Sequence, residues 1–110
     1  MYKILGGKRY DTTKATAIIE VTYSTRETDI DEYGEDVIIR EDRREGLYRT
    51  AAGTLFIAMQ ASGDDGEAAT ITPVGKYEAL TWAEDHQHRF DIEAVIEALG
   101  GMEALGIVDA

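Results

Sequence analysis

Apolar and polar positions alternate most clearly over Leu55–Gln60, with Leu55, Ile57 and Met59 on one side and Phe56 and Ala58 on the other. A period of two is that of a strand, and apolar residues on both sides predict a central one. Gly46–Thr50 reads as its hairpin partner, joined through Ala51-Ala52-Gly53, a three-residue loop whose glycine can take the left-handed conformation. Gly63-Asp64-Asp65-Gly66 is a turn signal, after which Ala68–Thr72 returns as a strand stopped by Pro73. Met1–Tyr10 alternates weakly and breaks at Gly6-Gly7, which predicts a short strand or hairpin arm.

The segment that follows fits two periods at once. Ala15, Ile18, Ile19 and Thr22 have helical spacing, whereas Ala15, Ala17, Ile19, Val21 and Tyr23 alternate. Asp11-Thr12-Thr13 is an N-cap cluster and the later β-branched density favours extended chain, so the pattern predicts a short helix near 12–17 and a strand near 18–24. Residues 25–36 read as a polar, acidic loop with Gly34, and Val37-Ile38-Ile39 opens another strand. Two helices are expected at the end. One covers about 76–85, with Gly75 as cap, Glu78 in the first turn, and Ala79, Leu80, Trp82 and Ala83 as its buried stripe. The other starts after Asp91, buries Ile92, Val95, Ile96 and Leu99, can staple Phe90 to Val95, and stops at Gly100-Gly101. Met102, Leu105, Ile107 and Val108 suggest a docked last turn. The expected fold is α+β: a small antiparallel sheet of three to five strands with a short N-terminal helix and two C-terminal helices packed on it. It forms a single compact domain over 1–110, with the helical segment at about 75–110.

Charge changes this picture. The chain has 110 residues, 22 acids against 11 bases, a net charge of −11 and no cysteine. The first 26 residues carry Lys3, Lys8, Arg9, Lys14 and Arg26 against Asp11 and Glu20; then Glu27, Asp29, Asp31, Glu32, Glu35 and Asp36 follow with no base among them. Such a field repels nucleic acid and anionic lipid and attracts basic surfaces. Disulfides and cysteine–zinc sites are excluded. No apolar run suits a signal peptide or a membrane helix, which leads us to expect a soluble protein of the cytoplasm.

Catalytic and metal signatures are weak. Asp29-Ile30-Asp31-Glu32-Tyr33-Gly34 suggests a calcium loop, but Tyr33 and Arg40 occupy its fifth and twelfth positions, where the loop needs oxygen ligands. His86 and His88, with Glu84, Asp85 and Asp91 nearby, form the one plausible metal cluster. Two residues apart on a helix they point to nearly opposite sides, and a helix C-terminus is in any case a favourable place for imidazole. Gly6-Gly7-Lys8-Arg9 lacks phosphate-loop spacing, and Ser24 and Ser62 lie in no nucleophile motif. No cofactor is expected. Tyr33 stands apart from the other tyrosines, an amphipathic ring among carboxylates and so a candidate interface anchor.

Gly7-Lys8-Arg9-Tyr10-Asp11-Thr12, Leu47-Tyr48-Arg49-Thr50 with Gly53 and Phe56, and Ala79 with Trp82-Ala83-Glu84 together resemble motifs of a group of small phage and mobile-element proteins. These carry a G-K-x-Y-D-T opening, an L-Y-R-T-x-x-G hairpin and a late A-x-x-W helix, and some are anti-CRISPR proteins. Here Leu55-Phe56 replaces the group's aromatic pair and Gly75 its serine cap. The resemblance implies a mobile-element inhibitor of a bacterial defence nuclease, acting in the host cytoplasm without turnover. Its partner would be the basic surface of a nucleic-acid-binding host protein such as a CRISPR effector. Neither nucleic acid nor membrane is expected to bind directly, and the protein would be a monomer or homodimer. Glu27, Asp29, Asp31, Glu32, Tyr33, Glu35 and Asp36 are the expected binding residues. In extended chain their carboxylates recur every ~5–6 Å, within a factor of two of phosphate spacing along one strand, which suggests a DNA mimic. Two other readings stand beside this one: an acidic dimeric adaptor or regulator of a mobile element, and a small metal-binding protein using His86 and His88.

Overall fold

The structure is a computed structural model describing residues 1–63 and 66–108. It is α+β, with two antiparallel sheets followed by short helices. β1 (Tyr2–Leu5) and β2 (Lys8–Asp11) form a two-stranded hairpin whose turn uses Gly6 and Gly7, both at positive φ. β3 (Thr16–Ile30), β4 (Asp36–Arg49), β5 (Leu55–Gly63) and β6 (Gly66–Val74) pair in chain order as a four-stranded meander. α1 (Lys76–Asp85), a 3₁₀ turn (Gln87–Arg89), α2 (Ile92–Ala98) and α3 (Gly101–Ala104) complete the chain. Asp64 and Asp65, in the expected turn between β5 and β6, lie outside the described residues.

Strand alternation sorts the core onto two sides of the meander. On one side Tyr48, Phe56, Ala58 and Ile71 meet Tyr10 of the small hairpin. Tyr48 stacks on Phe56 with centroids 5.2 Å apart, and Tyr10 meets Phe56 edge-on at 5.6 Å. On the other side Leu47, with Ile19, Leu55, Ile57 and Val74, packs against Ala79, Ala83, Val95, Trp82, Phe90, Ile92 and Leu99 of the helices. The expected two-faced β5 is therefore central, one side under the hairpin and the other under the helices. Pro73 sits within β6 rather than ending it; as an edge strand, β6 needs no second ladder from that residue.

Three expectations are corrected. The helix near 12–17 does not form. Asp11 does cap a turn: its Oδ1 accepts from the Thr13 N–H (2.9 Å) and hydroxyl (2.7 Å), and its carbonyl accepts from the N–H groups of Lys14 and Ala15. The helix stops there after one turn, because Thr16–Ile19 gain a ladder with Leu47–Arg49 that a helix would forfeit. The Thr13 hydroxyl, then its N–H, hold the Asp11 carboxyl below the usual carboxylate range.

The strand expected near 18–24 runs on to Ile30. Finally, residues 25–36 are not a loop: the turn is confined to 31–35, between two long strands.

The helices match their signals more closely. The Gly75 N–H donates to the Glu78 side chain, and Asp91 accepts from the Glu93 N–H. Leu105 docks the tail, while Met102 and Val108 remain exposed.

Candidate functional site: an acidic two-stranded arm

β5 covers β4 only from Glu41 to Arg49. Beyond that, β3 and β4 continue alone through five cross-strand pairs, Arg26–Arg40 to Ile30–Asp36. Gly63 marks the departure point: a Cβ there would lie 2.1 Å from the Arg40 carbonyl oxygen, so only glycine lets β4 pass so close as the ribbon leaves the sheet. At ~3.3 Å per residue the five pairs reach ~17 Å before the turn. The molecule is accordingly long and flat, 55 × 40 × 19 Å, with a radius of gyration of 16.8 Å against ~13 Å for a compact chain of about 100 residues.

The turn repeats a design used elsewhere in the chain. The Asp31 N–H donates to the Glu35 carbonyl and the Gly34 N–H to the Asp31 carbonyl, with Gly34 at φ 80°. Thr50–Thr54 does the same with Gly53 at φ 88°. The first side chain closes each turn: Asp31 Oδ1 accepts from the N–H groups of Tyr33 and Glu35 (both 2.9 Å), and Thr50 Oγ1 from the N–H of Thr54 (3.0 Å).

The expected binding residues are thereby placed. Glu27, Asp29, Glu32, Tyr33, Glu35 and Asp36 are exposed, Tyr33 to 82%, whereas Asp31 is half-buried with its carboxylate committed to the turn. The even ~5–6 Å file of carboxylates is not formed. The chain folds back, so Glu27 and Asp29 share one face of the ribbon, Asp36 lies on the opposite face, and the rest crown the turn. The same ribbon exposes Ile30, Val37 and Ile38, which sequence reading left out of the site. Their signal was present as β-branched residues on either side of an acidic Asp-x-x-Gly turn. The tip is thus acidic and apolar together.

At the root of the arm, on the helix side, a polar chain ties sheet to helices. Glu41 pairs with Arg43, and these contacts, Glu41 first and Tyr23 second, hold the guanidinium protonated beyond an arginine's usual range. The Tyr23 hydroxyl donates to Glu45 Oε2 at 3.2 Å, and His86 Nε2 lies 2.6 Å from the same oxygen. His86 Nδ1 lies 2.9 Å from the Trp82 carbonyl oxygen. The Arg89 guanidinium covers the Tyr23 ring at 3.9 Å.

Both nitrogens of His86 are therefore occupied by protein acceptors, and His88 Nε2 lies against Arg89. No group of three potential ligands among the described residues could hold a metal ion. Ser24 donates to Asp42 on the opposite face of the sheet from His86, so no serine–histidine pair is assembled.

Set against protein-family models, curated proteins and solved structures, the chain matches none. No helix among the described residues is long and apolar enough to cross a membrane.

Proposed function

We propose that this protein is a stoichiometric inhibitor that inserts its acidic arm into the basic nucleic-acid channel of a host defence nuclease, a CRISPR effector being the target the motif resemblance suggests. The observation that carries this reading is the arm itself. Six carboxylates within residues 27–36 and no base from 27 to 39 are lifted clear of the core on a two-stranded ribbon. Effector channels are lined with Lys and Arg that contact phosphates, and an acidic ribbon is complementary to them in charge. Exposed Tyr33, Ile30 and Ile38 add the apolar contact that slows dissociation, while the carboxylates speed encounter. Such a binder acts without turnover and needs no cofactor.

The test is a pull-down from host lysate followed by binding kinetics at two salt concentrations. The comparison variant carries Glu27→Gln, Asp29→Asn, Glu32→Gln, Glu35→Gln and Asp36→Asn, and retains Asp31 because it holds the turn. The parent should inhibit near one-to-one, associate more slowly as salt rises, and lose most of its association rate in the variant. A variant that binds as fast and as tightly as the parent removes the arm from the function. The dimeric adaptor reading is favoured by one feature, the 15-residue β3, whose outer edge has no neighbouring strand among the described residues.

A further inference from the structure

We infer that this protein associates head to tail with itself, the tip of one copy's arm seated in a basic-rimmed cavity at the far end of the next. The cavity, about 490 Å³, lies between the β1–β2 hairpin and the β4–β5 turn, with Lys8, Arg9, Tyr10, Asp11, Lys14 and Ala52 among its walls. That volume is in the range of about 300–1,000 Å³ that holds a small ligand or an anchoring side chain. Tyr10 and the alanines give it an apolar floor. Arg9 is held by Asp11 at 3.1 Å and by the Tyr2 ring at 4.4 Å. Lys8 and Lys14 are exposed, and among the described residues neither ammonium pairs with a carboxylate. In a chain with two acids per base, two unpaired lysines beside one apolar hollow are ligand-ready charge.

The occupant that fits is already in the molecule. Tyr33 projects from the arm's apex between Glu32 and Glu35, a ring for the floor and two carboxylates for the two ammoniums. The arm cannot reach its own cavity. The tip adjoins one end of β4, at Asp36, and the cavity wall adjoins the other, beyond Arg49; 14 extended residues hold them ~45 Å apart. The contact is therefore heterologous and propagates as an open chain or closes as a ring. It buries one turn only, so it is weak, concentration-dependent and screened by salt. Because a bound target would occupy the same tip, self-association and target binding exclude each other. The inference stands, however, whether or not a host target exists.

The experiment is sedimentation equilibrium on the purified full chain, alone and without any target. The parent's average mass should rise above the 12.1 kDa monomer with concentration at low salt and return to it in molar salt. Tyr33→Ser, which removes the knob, and Lys14→Glu, which reverses the rim, should each stay monomeric while melting like the parent. Mixed in equal amounts, they should form a one-to-one pair and nothing larger, since one retains an intact cavity and the other an intact tip. A parent that is monomeric throughout at low salt, a mixture that stays monomeric, or single variants that still dimerise would each overturn the inference. The last outcome would point instead to pairing along the free edge of β3.

Discussion

Gly46 lies in β4 opposite Glu20 and Ala58, and its importance rests on its neighbour two residues along. A Cβ at Gly46 would sit 2.6 Å from Tyr48 Cε2 and 2.8 Å from its Cζ and hydroxyl. Ordinary carbon contact begins near 3.5 Å, so Gly46→Ala forces the ring back by roughly 1 Å. That ring is held in place: Tyr48 is 5% exposed, stacks on Phe56, and donates to Glu20 Oε1 at 2.6 Å. Losing the charge-assisted bond costs about 1.5–3 kcal/mol and losing the stacking about 0.5–1.5. Replacing a strand glycine by alanine returns about 0.5–1 kcal/mol. The expected net loss is about 1–4 kcal/mol, a fall in melting temperature of roughly 5–20 °C at ~5 °C per kcal/mol. Thermal and urea melts measure it, and a double-mutant cycle assigns it. In a Tyr48→Leu background, where no ring overhangs residue 46, Gly46→Ala should be neutral or stabilising, giving a coupling above about 1 kcal/mol. A Gly46→Ala protein that melts at or above the parent would refute this account of the close approach.

Val95 is fully buried between α2 and the sheet, so Val95→Asp should cost about 3–5 kcal/mol by burying an unpaired charge, and Val95→Ala about 2 kcal/mol; an unchanged melting curve for either would mean that α2 does not pack there. Burial first, and then the Glu20 carboxylate, push the Tyr48 hydroxyl up to about 12. The folded protein therefore keeps that proton where the unfolded chain has lost it, and stability should fall as pH rises from 10 through 12. Urea midpoints should show this decline in the parent and a shallower one in Tyr48→Phe. His86→Ala leaves Glu45 half-buried without its imidazole partner and should cost about 1–3 kcal/mol, whereas His88→Ala at an exposed ring should stay within about 0.5 kcal/mol; equal effects of the two would refute the His86–Glu45 tie.

Much of the fold was legible because its signals are local. The alternation over Leu55–Gln60, the Gly53 turn, the Gly75–Glu78 and Asp91 caps, and the Val95 stripe each depend on residues within a few positions of one another. The two central errors arose where local signals conflict with distant partners. Asp11 caps a helical turn as its sequence says, yet Thr16–Ile19 are drawn into a ladder by Leu47–Arg49, some 30 residues away. Residues 25–30 look like a loop because all but Ile30 are polar or charged, which is also how a ribbon solvated on both faces looks. Only the pairing of Arg26–Ile30 with Asp36–Arg40 distinguishes the two. The sequence by itself determined the acidity of residues 27–36, the core-forming strands and the helical end. The tertiary structure decided that the acids stand on a two-stranded arm, that Asp31 belongs to its turn, that Glu45 meets His86, and that Gly46 must be bare. Each of these depends on which strand lies beside which, and that is fixed by long-range pairing, not by the order of residues along one segment.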